Sequence, residues 1–408
     1  MDLTLLIFLI VYLAMGLGHL PGFRVDRTGA ALVGALAMLG TGRITPQAAW
    51  LAIDYTTLGL LFGLMVVSAT FVVSGFYSWV AARIATLDVT PPLLLAILVA
   101  VGGGLSAMLT NDVVVVAMTP LLVTITLSRG LNPIPFLLGF CFAANTASAG
   151  TIIGSPQNMI AAQGLGLSFT GFLKVAGLPA LLSLPIVWGI IALLYRGRWQ
   201  RSPAAATVVT TITVNHWETA KAALVTLIVV AAFIVSAWPR DLIALSAAAV
   251  LLMNRRIAST DMMKNVDGNL IVLLMGLFVV NAALAATGLP QHLLVGLRAA
   301  GFDLQQPLWL FLVASVLSNV VGNNPAVMLL IPSLHPGGGE VDAMGAALAL
   351  GTGFSSNLVV FGSLAGIIVV EAAAKHGVTI SFGEFCRAGI PVGLACMAVA
   401  AVWIALLA

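Results

Sequence analysis

The chain has 408 residues, of which 61% are hydrophobic and only 8% charged, with a mean hydropathy of +1.12 and a formal charge of +3. A soluble domain carries about 25% charged residues, so a soluble fold is excluded, and so small a net charge gives no reason to expect a nucleic-acid partner. Apolar runs close to the ~20 residues that cross a bilayer recur along the whole length, without the alternation of a membrane β-barrel. An all-α polytopic membrane protein is the expected fold class.

In chain order, spans are expected near 3–19, 28–42 and 55–83, then a helical hairpin at 91–128, a span interrupted within 134–163, and a span at 170–196. The first of these lacks a basic leader and carries Asp2 instead, so it reads as a retained span and not a cleaved signal peptide. The second half offers spans at 217–237, 241–254 and 268–288, a hairpin at 306–334, an interrupted span at 342–373 and a last span at 384–408. A polar stretch at 201–216 reads as a cytoplasmic linker between a first unit, 1–200, and a second, 217–408.

The hairpins are inferred from a polar island between two apolar arms, which look too short to be two ordinary spans. Leu105 to Leu121 buries Thr110-Asn111-Asp112, and Leu317 to Leu334 buries Gly322-Asn323-Asn324, about 212 residues later. Irregular backbone at membrane depth is tolerated only where protein or a wet cavity satisfies it. The two halves align more widely: Asp54, Gly63 and Gly75 fall on Asp267, Gly276 and Gly288, and Ser168-Phe169 falls on Ser381-Phe382. Five crossings plus one hairpin that turns back per half, an odd count, predict two inverted repeats. An outside N-terminus leaves only Arg43, Lys174, Arg240 and Arg298 of the 17 basic residues outside, so both termini are placed outside by the positive-inside rule.

The interrupted spans read Ala143 to Asn158 and Gly351 to Ser363, rich in Gly, small hydroxyls and Asn. A helix broken at mid-depth frees N–H and C=O groups that become ligands, its N-terminal ends favouring anions. Two tips and two breaks would then surround one central site. Asp112 is the one carboxylate placed deep in an apolar run, so it must be protonated, paired with a cation or reached by water, and it is the candidate proton-coupling residue. Its other reading is the N-cap of a helix starting at Val113.

Asn111, Asn323, Asn145 and Asn357 each offer an acceptor and a donor for a small hydroxylated or oxyanionic solute; Asn324, Thr110, Thr146, Ser148, Ser355 and Ser356 are further candidate ligands. Helix capping and inter-helix bonding compete with that role. Asp54 and Asp267 read as N-caps, Glu371 and Lys375 as an interfacial ion pair, and His335 as a group near the outer surface that could sense pH. Cys141, Cys386 and Cys396 show no CxxC spacing, so no disulfide framework or zinc site is expected. Cys141 lies near the expected site, where a small buried hydrophobe is the stronger reading over a metalloid ligand. There is no HExxH, GxSxG or Walker loop; neither an enzyme nor a cofactor is expected, and an ion gradient of H⁺ or Na⁺ is left as the energy source.

Thr110-Asn111-Asp112 with Pro120, Pro135-Phe-Leu-Leu-Gly139, Ala144-Asn145-x-x-Ser148 and Gly154-x-Pro156-Gln157-Asn158 resemble the ion transporter superfamily, most of all its arsenite efflux permeases and silicon efflux transporters. That resemblance implies inverted repeats with two re-entrant hairpins, location in a bacterial-type inner membrane, export of an uncharged metalloid hydroxide against proton entry, and the homodimers common in this fold. The divalent anion/sodium symporters of the superfamily carry Ser-Asn-Thr at both tips. Here the Asn is kept in each but the small hydroxyls are partly replaced, which weakens sodium-coupled dicarboxylate or sulfate symport, the alternative kept together with Na⁺/H⁺ antiport.

Overall fold

The computed structural model describes residues 2–200, 214–334 and 341–407. Most of the linker expected over 201–216, and His335, lie outside the described residues. All regular structure among those residues is helical, and seven helices are long and apolar enough to cross a membrane.

The first half runs α1 (Leu3–Leu17), α2 (Arg27–Gly40), α3 (Pro46–Ala52), α4 (Tyr55–Val73) and α5 (Phe76–Ala85). There follow α6 (Pro91–Met108), α7 (Asn111–Ser128), α8 (Pro133–Ser148), α9 (Pro156–Gly164) and α10 (Phe169–Phe172), which passes through a π turn into α11 (Leu178–Leu194). The second half runs α12 (His216–Val235), α13 (Arg240–Leu252), α14 (Ser259–Met263), α15 (Gly268–Ala285) and α16 (Leu289–Ala299). It ends with α17 (Pro307–Val321), α18 (Asn323–Leu330), α19 (Val341–Ser355), α20 (Leu364–Lys375) and α21 (Phe382–Leu407).

Local chemistry sets many of these boundaries. Asp26, Asp54 and Asp267 cap α2, α4 and α15 by accepting from the N–H of Gly29 (2.8 Å), Thr57 (3.0 Å) and Leu270 (3.0 Å), each satisfying one donor that a helix start leaves open. The cap roles of Asp54 and Asp267 are thus as the sequence predicts. Proline opens α6, α8, α9 and α17, where its missing N–H costs nothing.

Four expectations need correction. The apolar run 55–83 is two helices, because Gly75 at φ 79° turns the chain between α4 and α5. The run after Gly288 continues as α16, which the span reading omits. The arms of the first hairpin are 18 residues each, about 27 Å at 1.5 Å per residue, so they are longer than the sequence reading expects. Glu371 and Lys375 form no ion pair; both are exposed on α20, where water solvates each charge and little is gained by pairing them.

At the expected hairpins, short connections join α6 to α7 and α17 to α18, and at the expected breaks irregular backbone separates α8 from α9 and α19 from α20. The first tip is Leu109-Thr110 in extended backbone between α6 and α7. The second is the single residue Gly322, at φ 93° and ψ 159°, between α17 and α18. That region of backbone space is open essentially to glycine alone, at a cost of about 1–3 kcal/mol for other residues. Gly322→Ala is therefore expected to lower the melting temperature in detergent by strain, since its Cβ would meet Pro325 only at 3.7 Å. Gly104→Ala, inside α6 with open space around it, should leave the melting temperature unchanged or raised.

Small residues let helices cross closely, which substitutes for a hydrophobic driving force in lipid. α4 crosses α13 where Gly63 meets the backbone of Ala244, and α15 crosses α2 where Gly276 meets that of Ala31. Gly276 and Ala244 lie 213 residues beyond Gly63 and Ala31, so the two crossings exchange partners between the halves. The hairpins interlock in the same manner, α7 packing on α20 and α18 on α9.

Candidate functional site

The first tip is docked by two elements. Thr110 contacts Ser68, in the interior of α4, through both its N–H (3.3 Å) and its hydroxyl (3.2 Å), and the Asn111 N–H donates to the Gly154 carbonyl in the break between α8 and α9 (2.9 Å). Thr151 of that break ties back to the Ala107 carbonyl at 2.6 Å. The second tip meets the other break: the Asn323 amide donates to Ser356 at 2.9 Å, and Asn319 to the Ser355 carbonyl at 3.2 Å.

Between the tips lies a cavity of about 250 Å³, lined by Asn111 and Asp112 from one and by Gly322, Asn323 and Asn324 from the other. Pro156 and Gln157 of α9 and Ser363 and Leu364 of α20 add the second halves of both broken helices, while Arg27, Thr28, Asp267 and Asn269 complete the wall. A second cavity, of about 460 Å³, shares Asp112, Asp267, Pro156 and Asn269 with the first.

Six helices, α2, α7, α9, α15, α18 and α20, present their N-terminal ends to the first cavity. Each such end is equivalent to roughly half a positive charge, and together their free N–H groups favour an anion or an oxygen-rich solute. The same field makes two carboxylates tolerable here. Asp112 sits in the first turn of α7, which begins at Asn111 after Thr110, so it does not act as the N-cap of a helix starting at Val113. Among the described residues its carboxylate has no hydrogen bond or ion-pair partner. The Oδ1 atoms of Asn111 and Asn324 are likewise buried without a partner.

The other candidate ligands take different places. Asn145 donates to the Asn357 side-chain oxygen (3.1 Å) and to Ser363 (3.0 Å), while Asn357 donates to Thr146 (3.0 Å). Ser148 donates to the Asn145 carbonyl (3.0 Å), Ser355 pairs with Ser318 (3.0 Å), and Ser356 supports Asn323 from behind. Of the candidates, only Asn111, Asp112, Asn323 and Asn324 line the first cavity; Thr110 joins Asp112 in the second. Cys141 is fully buried in α8. Arg27, Gln157, Asn269 and Asp267 line the first cavity without having been singled out for it. Gln157 could have been found from its place in the Gly-x-Pro-Gln-Asn run, and Asp267 and Asn269 from the start of the helix that follows the cap.

A polytopic helical protein with interlocked hairpins, broken helices and a polar cavity at their meeting point belongs to the class of membrane transporters. Residues 6–353 match the family model described as citrate transporter, and the chain belongs to that family. It is a transporter and not an enzyme, and the family places it as a multi-pass membrane protein. It is similar to a 46 kDa membrane protein of Mycobacterium leprae, 27% identical over 93% of this chain and 94% of the relative. A shorter match, 29% identical over 41% of this chain and 29% of the relative, is to the putative transporter arsB of Dictyostelium discoideum. In fold it resembles the YdaH transporter of Alcanivorax borkumensis, whose crystal structure is described as having an unusual topology: TM-score 0.57 at 16% identity, covering 99% of this chain and 97% of that one.

Proposed function

We propose that the chain is a proton-coupled secondary transporter of a small oxygen-rich solute, with Asp112 as the proton carrier. The observation that carries this reading is the cavity in which an unpartnered Asp112 faces amide side chains from both hairpin tips. Amides that donate and accept suit a metalloid hydroxide or oxyanion such as arsenite, antimonite or silicic acid. A proton entering at Asp112 would drive such a solute outward by antiport. The exchange of crossings and of hairpin partners between halves supports two inverted repeats, 1–200 and 217–408, rocking about this site by alternating access. The basic residues support both termini outside in a bacterial-type inner membrane, and a homodimer belongs to the same reading.

A second reading is a carboxylate cargo, with Na⁺ in place of H⁺ as one form of it. It is favoured by the six helix N-termini, by Arg27 in the cavity wall, and by the family's description as citrate transporter.

Reconstituted proteoliposomes separate the two. Under an imposed pH gradient, arsenite, antimonite, silicate, citrate and sulfate are offered in turn, with sodium replaced by choline. Accumulation of arsenite or silicate that a protonophore abolishes and choline leaves intact is the expected result. Accumulation of citrate or sulfate alone would install the second reading, and a sodium requirement would give its sodium-coupled form. Downhill flux that survives the protonophore and never accumulates solute would make the protein a passive channel.

A further inference from the structure

We infer that Asp267 is a second coupling carboxylate, which holds one proton in common with Asp112. The inference rests on the reading of Asp112 as a proton carrier and adds to it a partner and a rule for how many protons the site binds.

Asp112 and Asp267 line both cavities, approaching from different parts of the fold. Asp112 belongs to α7, packed on α8 and α20; Asp267 precedes α15, packed on α1 and α2. Asp267 spends Oδ1 on the Leu270 N–H at 3.0 Å, and its Oδ2 has no partner among the described residues. Asp112 has none for either oxygen. Asn111, only 6% exposed, lines the first cavity beside them, and its Oδ1 is also unpartnered. At least four acceptor oxygens at this site are therefore without a donor among the described residues.

The other charged groups lining the cavities are Arg27 in the first and Lys264 in the second. Arg27 donates to the Met15 carbonyl (2.9 Å) and Lys264 to Asp261 (2.8 Å), and neither forms an ion pair with Asp112 or Asp267. Two like charges facing one cavity without a dedicated cation disfavour each other, and one proton held between them would relieve both. Because they stand on separately packed elements, a movement of the first hairpin relative to α15 would change their separation and so the hold on that proton.

Asp267 also caps α15, so its two roles must be separated. Asn and Ser cap a helix start about as well as Asp, and neither carries a titrating carboxyl. Asp54 supplies the control, since it caps α4 through the Thr57 N–H at 3.0 Å and lines neither cavity.

The test is a potentiometric titration of the full chain in detergent between pH 5 and 9, counting protons bound by wild type, Asp112→Asn, Asp267→Asn, Asp267→Ser, Asp54→Asn and the double variant of Asp112 and Asp267. Melting temperature is measured on each to confirm folding. The expected result is that each single change at 112 or 267 removes one proton, the double change removes the same one and no more, and Asp54→Asn removes none. If Asp112→Asn removes a proton while both Asp267 variants keep the wild-type count, Asp267 is a cap alone, and the proton-carrier reading of Asp112 survives. If the double change removes two, the carboxylates are independent and the shared proton is refuted. If neither position alters the count, this inference and the proton-carrier reading fall together.

Discussion

Asp112→Asn is expected to abolish solute-driven proton movement in proteoliposomes while leaving the folded protein about as stable as wild type. The substituted amide has nearly the same volume, and it can donate as well as accept in a cavity with unpartnered Asn111 and Asn324 oxygens. What it loses as a charge at the start of α7 is about 0.3–1 kcal/mol of favourable interaction with the helix dipole. What it gains is relief from holding an unpaired carboxylate inside an apolar protein, which is costly. The two effects oppose each other, so the melting temperature should move little. Proton movement has no such compensation, because an amide cannot bind and release a proton in this range. Pyranine-loaded vesicles challenged with arsenite, and then with citrate, give the readout. Asp112→Glu keeps a carboxyl on a longer arm and should retain part of the flux. Wild-type flux in the Asn variant would leave the coupling mechanism without its carrier.

The features most legible in the sequence were those where polar chemistry interrupts an apolar background. Thr110-Asn111-Asp112 and Gly322-Asn323-Asn324 are conspicuous because a bilayer interior penalises such residues, and both fall where one helix ends and the next begins. The Gly- and Ser-rich interruptions after Ser148 and Ser355 prove to be helix breaks for the same reason. Less legible was what depends on direction. Asp267 is visible as a cap from its position before Gly268, but that it lines the same two cavities as Asp112, with its other oxygen unpartnered among the described residues, follows only from the fold. Arg27 counts in the sequence as one more basic residue at a span end, whereas the fold turns it into a wall of the cavity. Hydropathy also passes over Gly75, since its surroundings are equally apolar on both sides and only a backbone at φ 79° separates α4 from α5.

Asn145 and Asn357 mark the sharpest divide between a residue that binds solute and one that holds the protein together. Both were candidate ligands by composition, and both are buried, at 3% and 0% exposure, in a bond network that joins the two broken helices. Asn145→Ala removes donors to the Asn357 oxygen and to Ser363. A buried polar group left without its partner costs about 1–3 kcal/mol, so two such losses predict roughly 2–6 kcal/mol of destabilisation. Asn357→Ala should cost a similar amount, since it leaves Thr146 and the Asn145 amide short of partners. Because the two changes remove one shared bond, the double variant should be less damaging than the sum of the singles, as for any pair in direct contact. Thermal unfolding in detergent measures this cycle, and solute binding to the protein that remains folded measures function separately. A large fall in melting temperature with unaltered affinity fits a structural clasp. Unchanged melting temperature with lost affinity would instead return both asparagines to the binding site, and would require the clasp to open before solute can enter.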